Sequence, residues 1–152
     1  MYEPIRRKSV HTMAGPATSD FPHRSREEEL DIQLAGHLAA LLATTDELRA
    51  LTPSGELDTA AERLVQQVTR LRGGHRPVRT PGAPASETTA APLHRRAHAL
   101  AGRALVVAAS RADTAAAILA AERMDAHDAA LAAATTSTST STSTDQRELA
   151  TH

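Results

Sequence analysis

Cysteine and tryptophan are absent from this chain, and asparagine is absent as well. Without cysteine there is no disulfide framework, no thiolate nucleophile and no cysteine-based zinc site. Aromatic side chains are nearly missing: Tyr2 and Phe21 are the only two, both near the start. Because aromatics usually dominate cores and interfaces, any core here must be built of Leu, Val, Ile and Ala. Net charge is also small, −1 at neutral pH, so no global field draws the chain to nucleic acid or to an anionic membrane. Lys8 is the single lysine among seventeen basic residues. This Arg excess, with abundant Ala and no Asn, reads as the codon bias of a GC-rich bacterial genome, which discounts Arg clusters as functional signals.

Long apolar runs are missing too. The longest is Ala115–Ala121, with Ala104–Ala109 among those one residue shorter, against the roughly 20 residues a membrane helix needs. Arg6-Arg7 has the form of a twin-arginine signal, but no apolar stretch follows it. An export signal is therefore not expected, and a soluble, cytoplasmic protein is.

What is present is helical periodicity. Residues 1–24 have scattered charge, Pro4, Pro16 and Pro22, and no rhythm, and are expected to be disordered. Ser25 with Glu28 then forms a capping box, and Glu27, Glu28 and Glu29 put negative charge where a helix dipole favours it. Leu34, Leu38, Leu41 and Leu48 repeat at helical spacing, with Thr45 a weak point in the stripe. Pro53 ends this helix near Leu51, because it disfavours helical geometry in the residue before it, and suits the first turn of the next. Leu57, Ala61, Leu64, Val68 and Leu71 continue the rhythm until Gly73-Gly74 stops it. Residues 25–72 thus read as a helical hairpin.

Residues 73–91, with Pro77, Pro81 and Pro84, read as an extended, mobile linker. From Pro92 to about residue 134 the pattern reads as one long Ala-rich helix with a stripe of Leu93, Ala97, Leu100, Ala104, Val107 and Ile118. Arg111 and Thr114 interrupt that stripe, so a bend or a change of neighbour is expected at Ser110–Thr114. Residues 135–152 begin with a Ser/Thr run that offers nothing to pack and is built of poor helix formers, so disorder is expected there. The fold class predicted is all-α: a helical hairpin plus one long helix in a small antiparallel, coiled-coil-like bundle.

Candidate sites are few. His94 and His98 are four apart and share one side of a helix, the spacing at which two imidazoles can hold a metal; no further ligand accompanies them, and Arg95 and Arg96 repel a cation. Glu122, Asp125 and Asp128 form an acidic row beside His127, which reads as the polar face of an exposed helix end. Arg70, Arg72, Arg76 and Arg79 make the most basic stretch and could contact phosphates, but no aromatic is interleaved to stack on bases. Arg6-Arg7-Lys8-Ser9 has the form of a basophilic kinase site. No Gly-rich phosphate loop, Gly-x-Ser-x-Gly elbow or His-Glu-x-x-His occurs. Neither a metal nor a cofactor is expected, nor an enzyme.

The aliphatic stripes are thin for a monomer. The expectation is therefore a non-enzymatic protein–protein interaction or oligomerisation module. Leu34, Leu38, Leu41, Leu64, Val68, Leu100 and Val107 would carry both core and contact, with the chain itself or another protein as partner. The alternative expectation is a small nucleic-acid-associated regulator using Arg70, Arg72, Arg76 and Arg79.

Overall fold

A computed structural model describes residues 24–79 and 89–149, with side chains up to Ser141. Among the described residues the secondary structure is entirely helical: α1 (Arg26–Leu51), α2 (Gly55–Leu71), α3 (Ala90–Arg111) and α4 (Thr114–Leu149). The all-α expectation holds. The expectations for residues 1–23, 80–88 and 150–152, including Arg6-Arg7-Lys8-Ser9, lie outside the described residues.

Local chemistry sets the helix ends. At α1 the expected capping box forms: the Glu28 amide donates to Ser25 Oγ at 3.1 Å, and the Ser25 amide donates to the Glu28 carboxylate at 3.2 Å. Thr44 and Thr45 do not break this helix, because their hydroxyls donate to the carbonyls of Ala40 and Leu41 at 3.1 and 2.7 Å and so are satisfied without leaving the helix. Pro53 lies outside α2 rather than in its first turn. Ser54 is the N-cap, its Oγ accepting from the Leu57 amide at 3.1 Å. Gly73 and Gly74 take positive φ values of 65° and 96° and end α2, a conformation glycine adopts without steric cost.

The long Ala-rich helix expected over residues 92–134 is two helices. Ala112 adopts the left-handed conformation, φ 57° and ψ 34°, and the Asp113 amide donates to the Ala108 carbonyl at 2.9 Å. Asp113 then caps α4, its carboxylate accepting from the Ala116 amide at 3.2 Å. Arg111 and Thr114 break the apolar stripe because the chain reverses between them. Arg111 instead reaches Asp31 near the start of α1, at 3.0 Å.

Ion pairs and contacts fix the directions. Arg49–Asp58 at 2.8 Å closes the α1–α2 hairpin, and Arg96–Glu47 at 3.2 Å with Arg111–Asp31 sets α3 antiparallel to α1. His94 meets His127 and Gly102 faces Met124, so α4 is antiparallel to α3. Arg70–Asp113 at 2.8 Å and Arg63–Glu122 close α2 onto α4. The result is a four-helix bundle in which α2 and α3 run parallel, so the chain after α2 must return along the bundle. Its first part does so along α1 as far as Arg79, which donates to both carboxylate oxygens of Asp46 at 3.1 and 2.6 Å. Burial alone would raise the Asp46 carboxyl, but hydrogen bonds from Arg79 and Arg49 outweigh it and hold the group below its ordinary value.

The core joins Leu34, Leu38, Leu41, Leu42, Leu64 and Val68 to an alanine column on α3, where Ala97, Ala101, Ala104 and Ala108 are fully buried. Alanine there lets α3 pack against both α1 and α4. On α3 the buried line keeps Leu93, Ala97 and Ala104 from the predicted one and takes Ala101 and Ala108 in place of Leu100 and Val107. Leu100 and Val107 are only partly buried, packed against the core rim, and Ile118 of α4 is 52% exposed rather than in the stripe.

α4 also outlasts the bundle. It is about 54 Å long against about 33 Å for α3, at 1.5 Å per residue. Every residue from Ala132 to Ser141 is exposed, and the helix is drawn on through the Ser/Thr run. Its hydroxyls donate to carbonyls four residues back, as Thr135 does to Leu131 and Ser139 to Thr135, both at 3.1 Å.

Candidate functional site

The inner face of α4 begins apolar with Ala116, Leu119 and Ala120 and continues, at the same helical spacing, with Arg123 and His127. Both are buried, at 4% and 1% exposure, in positions where the pattern calls for leucine. The chain reversal at Ala112–Asp113 places them against the start of α3. There His94 Nδ1 and His127 Nδ1 are 2.9 Å apart, with ring centroids 5.2 Å apart and planes tilted by 51°. One turn on, His98 Nε2 lies 3.2 Å from Asp128.

Donor accounting assigns the protons. Arg123 can only donate. It donates through Nη1 to Glu56 of α2 and faces His127 Nε2 through Nη2 at 3.4 Å. His127 Nε2 is therefore the accepting nitrogen, its proton sits on Nδ1, and it donates to His94 Nδ1. The chain runs from Arg123 through His127 to His94 with no place for a further proton. Accordingly His127 is pushed down to about 3, first by burial and then by Arg123, His94 and His98. His94 is lowered by burial and then by Arg123, with Glu56 opposing. Both imidazoles are neutral at neutral pH. Arg123 Nε, buried, has no partner among the described residues.

This network forms the inner wall of a cleft of about 370 Å³ between the α1–α2 turn, the start of α3 and the middle of α4. Its remaining lining is mostly apolar, with Pro53, Leu57, Ala126, Ala130, Leu131 and Ala134.

The residues singled out from the sequence are distributed differently. Leu34, Leu38, Leu41, Leu64 and Val68 are each fully buried inside one chain, so they hold the core and present nothing to a partner. Leu100 and Val107 flank that core. Of the basic stretch, Arg70 is engaged by Gln67 and Asp113 and Arg79 by Asp46, while Arg72 and Arg76 are exposed. His94 and His98 do face the same way, but each has its own partner on α4. The acidic row is split: Glu122 pairs with Arg63, Asp128 with His98, and Asp125 is exposed. Among the described residues no three His, Asp or Glu side chains come close enough to share a metal. No described helix is long and apolar enough to cross a membrane.

Sequence reading missed Arg123 entirely and placed His127 on an outer face. The signal was there: both continue the helical spacing of Ala116 and Ala120, the line that packs inward. Comparisons with protein-family models, with curated proteins and with solved structures return no match for this chain.

Proposed function

We propose that the protein is a non-enzymatic helical interaction module whose partner is a second copy of itself. The observation that carries this reading is the aliphatic surface left outside the bundle on the α3–α4 hairpin. Val106 is 67% exposed and Ile118 is 52% exposed, and the register that pairs Gly102 with Met124 brings them level on adjacent helices. Beside Ile118 lies a groove of about 320 Å³ lined by Ala108, Ala109, Ala112, Ala117 and Ala121. Exposed apolar side chains grouped on one hairpin in this way support an interaction site more than isolated ones do.

Two further features support self-association. The helix beyond Ala134 is exposed on every side described, and an unsupported helical stretch of Ser and Thr, poor helix formers, is marginal in water. A net charge of −1 lets two copies approach without strong repulsion. The contact residues differ from those expected from the stripes, because α4 supplies within one chain the cover those stripes need. The reading includes a cytoplasmic location, which asks no disulfide of a cysteine-free chain. The nucleic-acid alternative has less support, since Arg70 and Arg79 are engaged by the chain's own carboxylates.

Sedimentation velocity at micromolar concentrations tests the proposal. The intact chain is expected to sediment as a dimer. A chain carrying Val106→Glu and Ile118→Glu, both at exposed positions, is expected to sediment as a monomer with unchanged helical circular dichroism. An intact chain that stays monomeric throughout contradicts the reading.

A further inference from the structure

The cleft at the opposite end of the α3–α4 hairpin is independent of that surface. We propose that it binds a small amphipathic monocarboxylate. Its head takes the place on Arg123 now held by Glu56, and its tail lies along Leu57, Ala130 and Leu131.

The ion pair at the inner wall is lopsided. Arg123 is 4% exposed, whereas the Glu56 side chain is 59% exposed. The guanidinium is fixed in the bundle, and the carboxylate that neutralises it hangs from the first turn of α2, where it can swing into water. Glu56 thus already shows which chemistry Arg123 accepts, and a carboxylate is the group whose two oxygens match the guanidinium fork. The donors of Arg123 are also incompletely used. Nη1 reaches Glu56, Nη2 makes only the 3.4 Å approach to His127, and Nε has no partner. A buried cation with donors left over is costly as a purely structural element, and a second carboxylate oxygen would relieve that cost.

The surroundings select against other ligands. Ala90 and Ala91, which open α3, line the same cleft. Thr89 makes no side-chain cap and the first turn of α3 holds no acidic residue, so among the described residues no anionic group occupies the positive end of that helix dipole, which favours an anion. Arg123 excludes a cation, and the two imidazoles, each satisfied by the other through Nδ1, offer no free pair of ligating nitrogens. The alanine and leucine walls suit an alkyl chain and give nothing to a phosphate or a sugar. A cleft of this volume, mostly apolar with a few convergent polar groups, has the character of a small-molecule site.

Isothermal titration calorimetry of the full chain tests the proposal, with octanoate, octanol and inorganic phosphate as probes. Octanoate is expected to bind, and octanol and phosphate to bind about tenfold more weakly or worse. Glu56→Gln, at an exposed position, removes the competing carboxylate and is expected to tighten octanoate binding several-fold. Arg123→Met is expected to abolish it. Should that buried substitution unfold the chain, Glu56→Gln still decides. Equal binding of octanoate and octanol, or a Glu56→Gln chain that binds octanoate no more tightly than the parent, overturns the proposal.

Discussion

His127 and Arg123 occupy inward positions on α4 at which an apolar side chain would pack, and they hold their place only through one another, His94 and Glu56. That makes the bundle sensitive to acid. The ordinary His value is about 6.5, and in the folded chain His127 lies at about 3. Its contribution to stability is therefore fully present above about pH 6.5, declines as pH falls below it, and is lost once pH passes through the folded value. Between pH 6.5 and pH 5 this costs about 2 kcal/mol, and the lowered His94 acts in the same direction. The low Asp46 carboxyl acts the same way only at more acid pH, below its ordinary value of 3.8. Urea unfolding at pH 7 and pH 5 is expected to show the loss, and His127→Gln to reduce it. A variant with the parent's pH dependence would contradict the assignment. In the sequence this pair shows only as a continuation of the Ala116 and Ala120 spacing, a signal masked because charged and imidazole side chains ordinarily mark the outer face of a helix. Leu34, Leu38, Leu41, Leu64 and Val68, by contrast, were legible as core for the reason they are buried: aliphatic side chains at a helical period have one way to leave water.

At the scale of elements, the hairpin of α1 and α2 was readable from its punctuation, with Ser25, Pro53 and Gly73-Gly74 all acting at its ends. The second hairpin carries no such marks. Its turn is Ala112-Asp113, where neither glycine nor proline stands and alanine is the strongest helix former. Only the polar intrusion of Arg111 and Thr114 hinted at it. Ala112 is the one described non-glycine residue at positive φ, a conformation that costs an L-residue roughly 1–2 kcal/mol. Ala112→Gly removes that strain at some cost in unfolded-chain entropy, and is expected to raise the unfolding free energy by about 1 kcal/mol. A loss of stability in urea titration would mean that residues 90–149 do not turn there. The Ser/Thr run is a different case: low helix propensity argued for disorder, and in the structure the helix is drawn on through it, with the Thr136 and Thr140 hydroxyls bonded to carbonyls four residues back.

At the scale of the molecule, the order α1, α2, α3, α4 folds as two hairpins whose parallel inner arms, α2 and α3, require a connection long enough to return along the bundle. The Pro- and Gly-rich composition of residues 73–91 was visible in the sequence; the reason for its length was not, because helix directions depend on the hidden turn. That turn also assembles both proposed surfaces. It brings Val106 level with Ile118 on the outside, and it carries His127 and Arg123 back to His94 and the cleft. The most direct measurement is the distance between spin labels on Arg95→Cys and Ala129→Cys, exposed positions in a chain with no other cysteine. Double electron–electron resonance is expected to give a peak at about 20 Å, as for neighbouring antiparallel helices plus label tethers. A peak near 50 Å, the length of an uninterrupted helix between the two positions, would contradict the reversal and with it both surfaces.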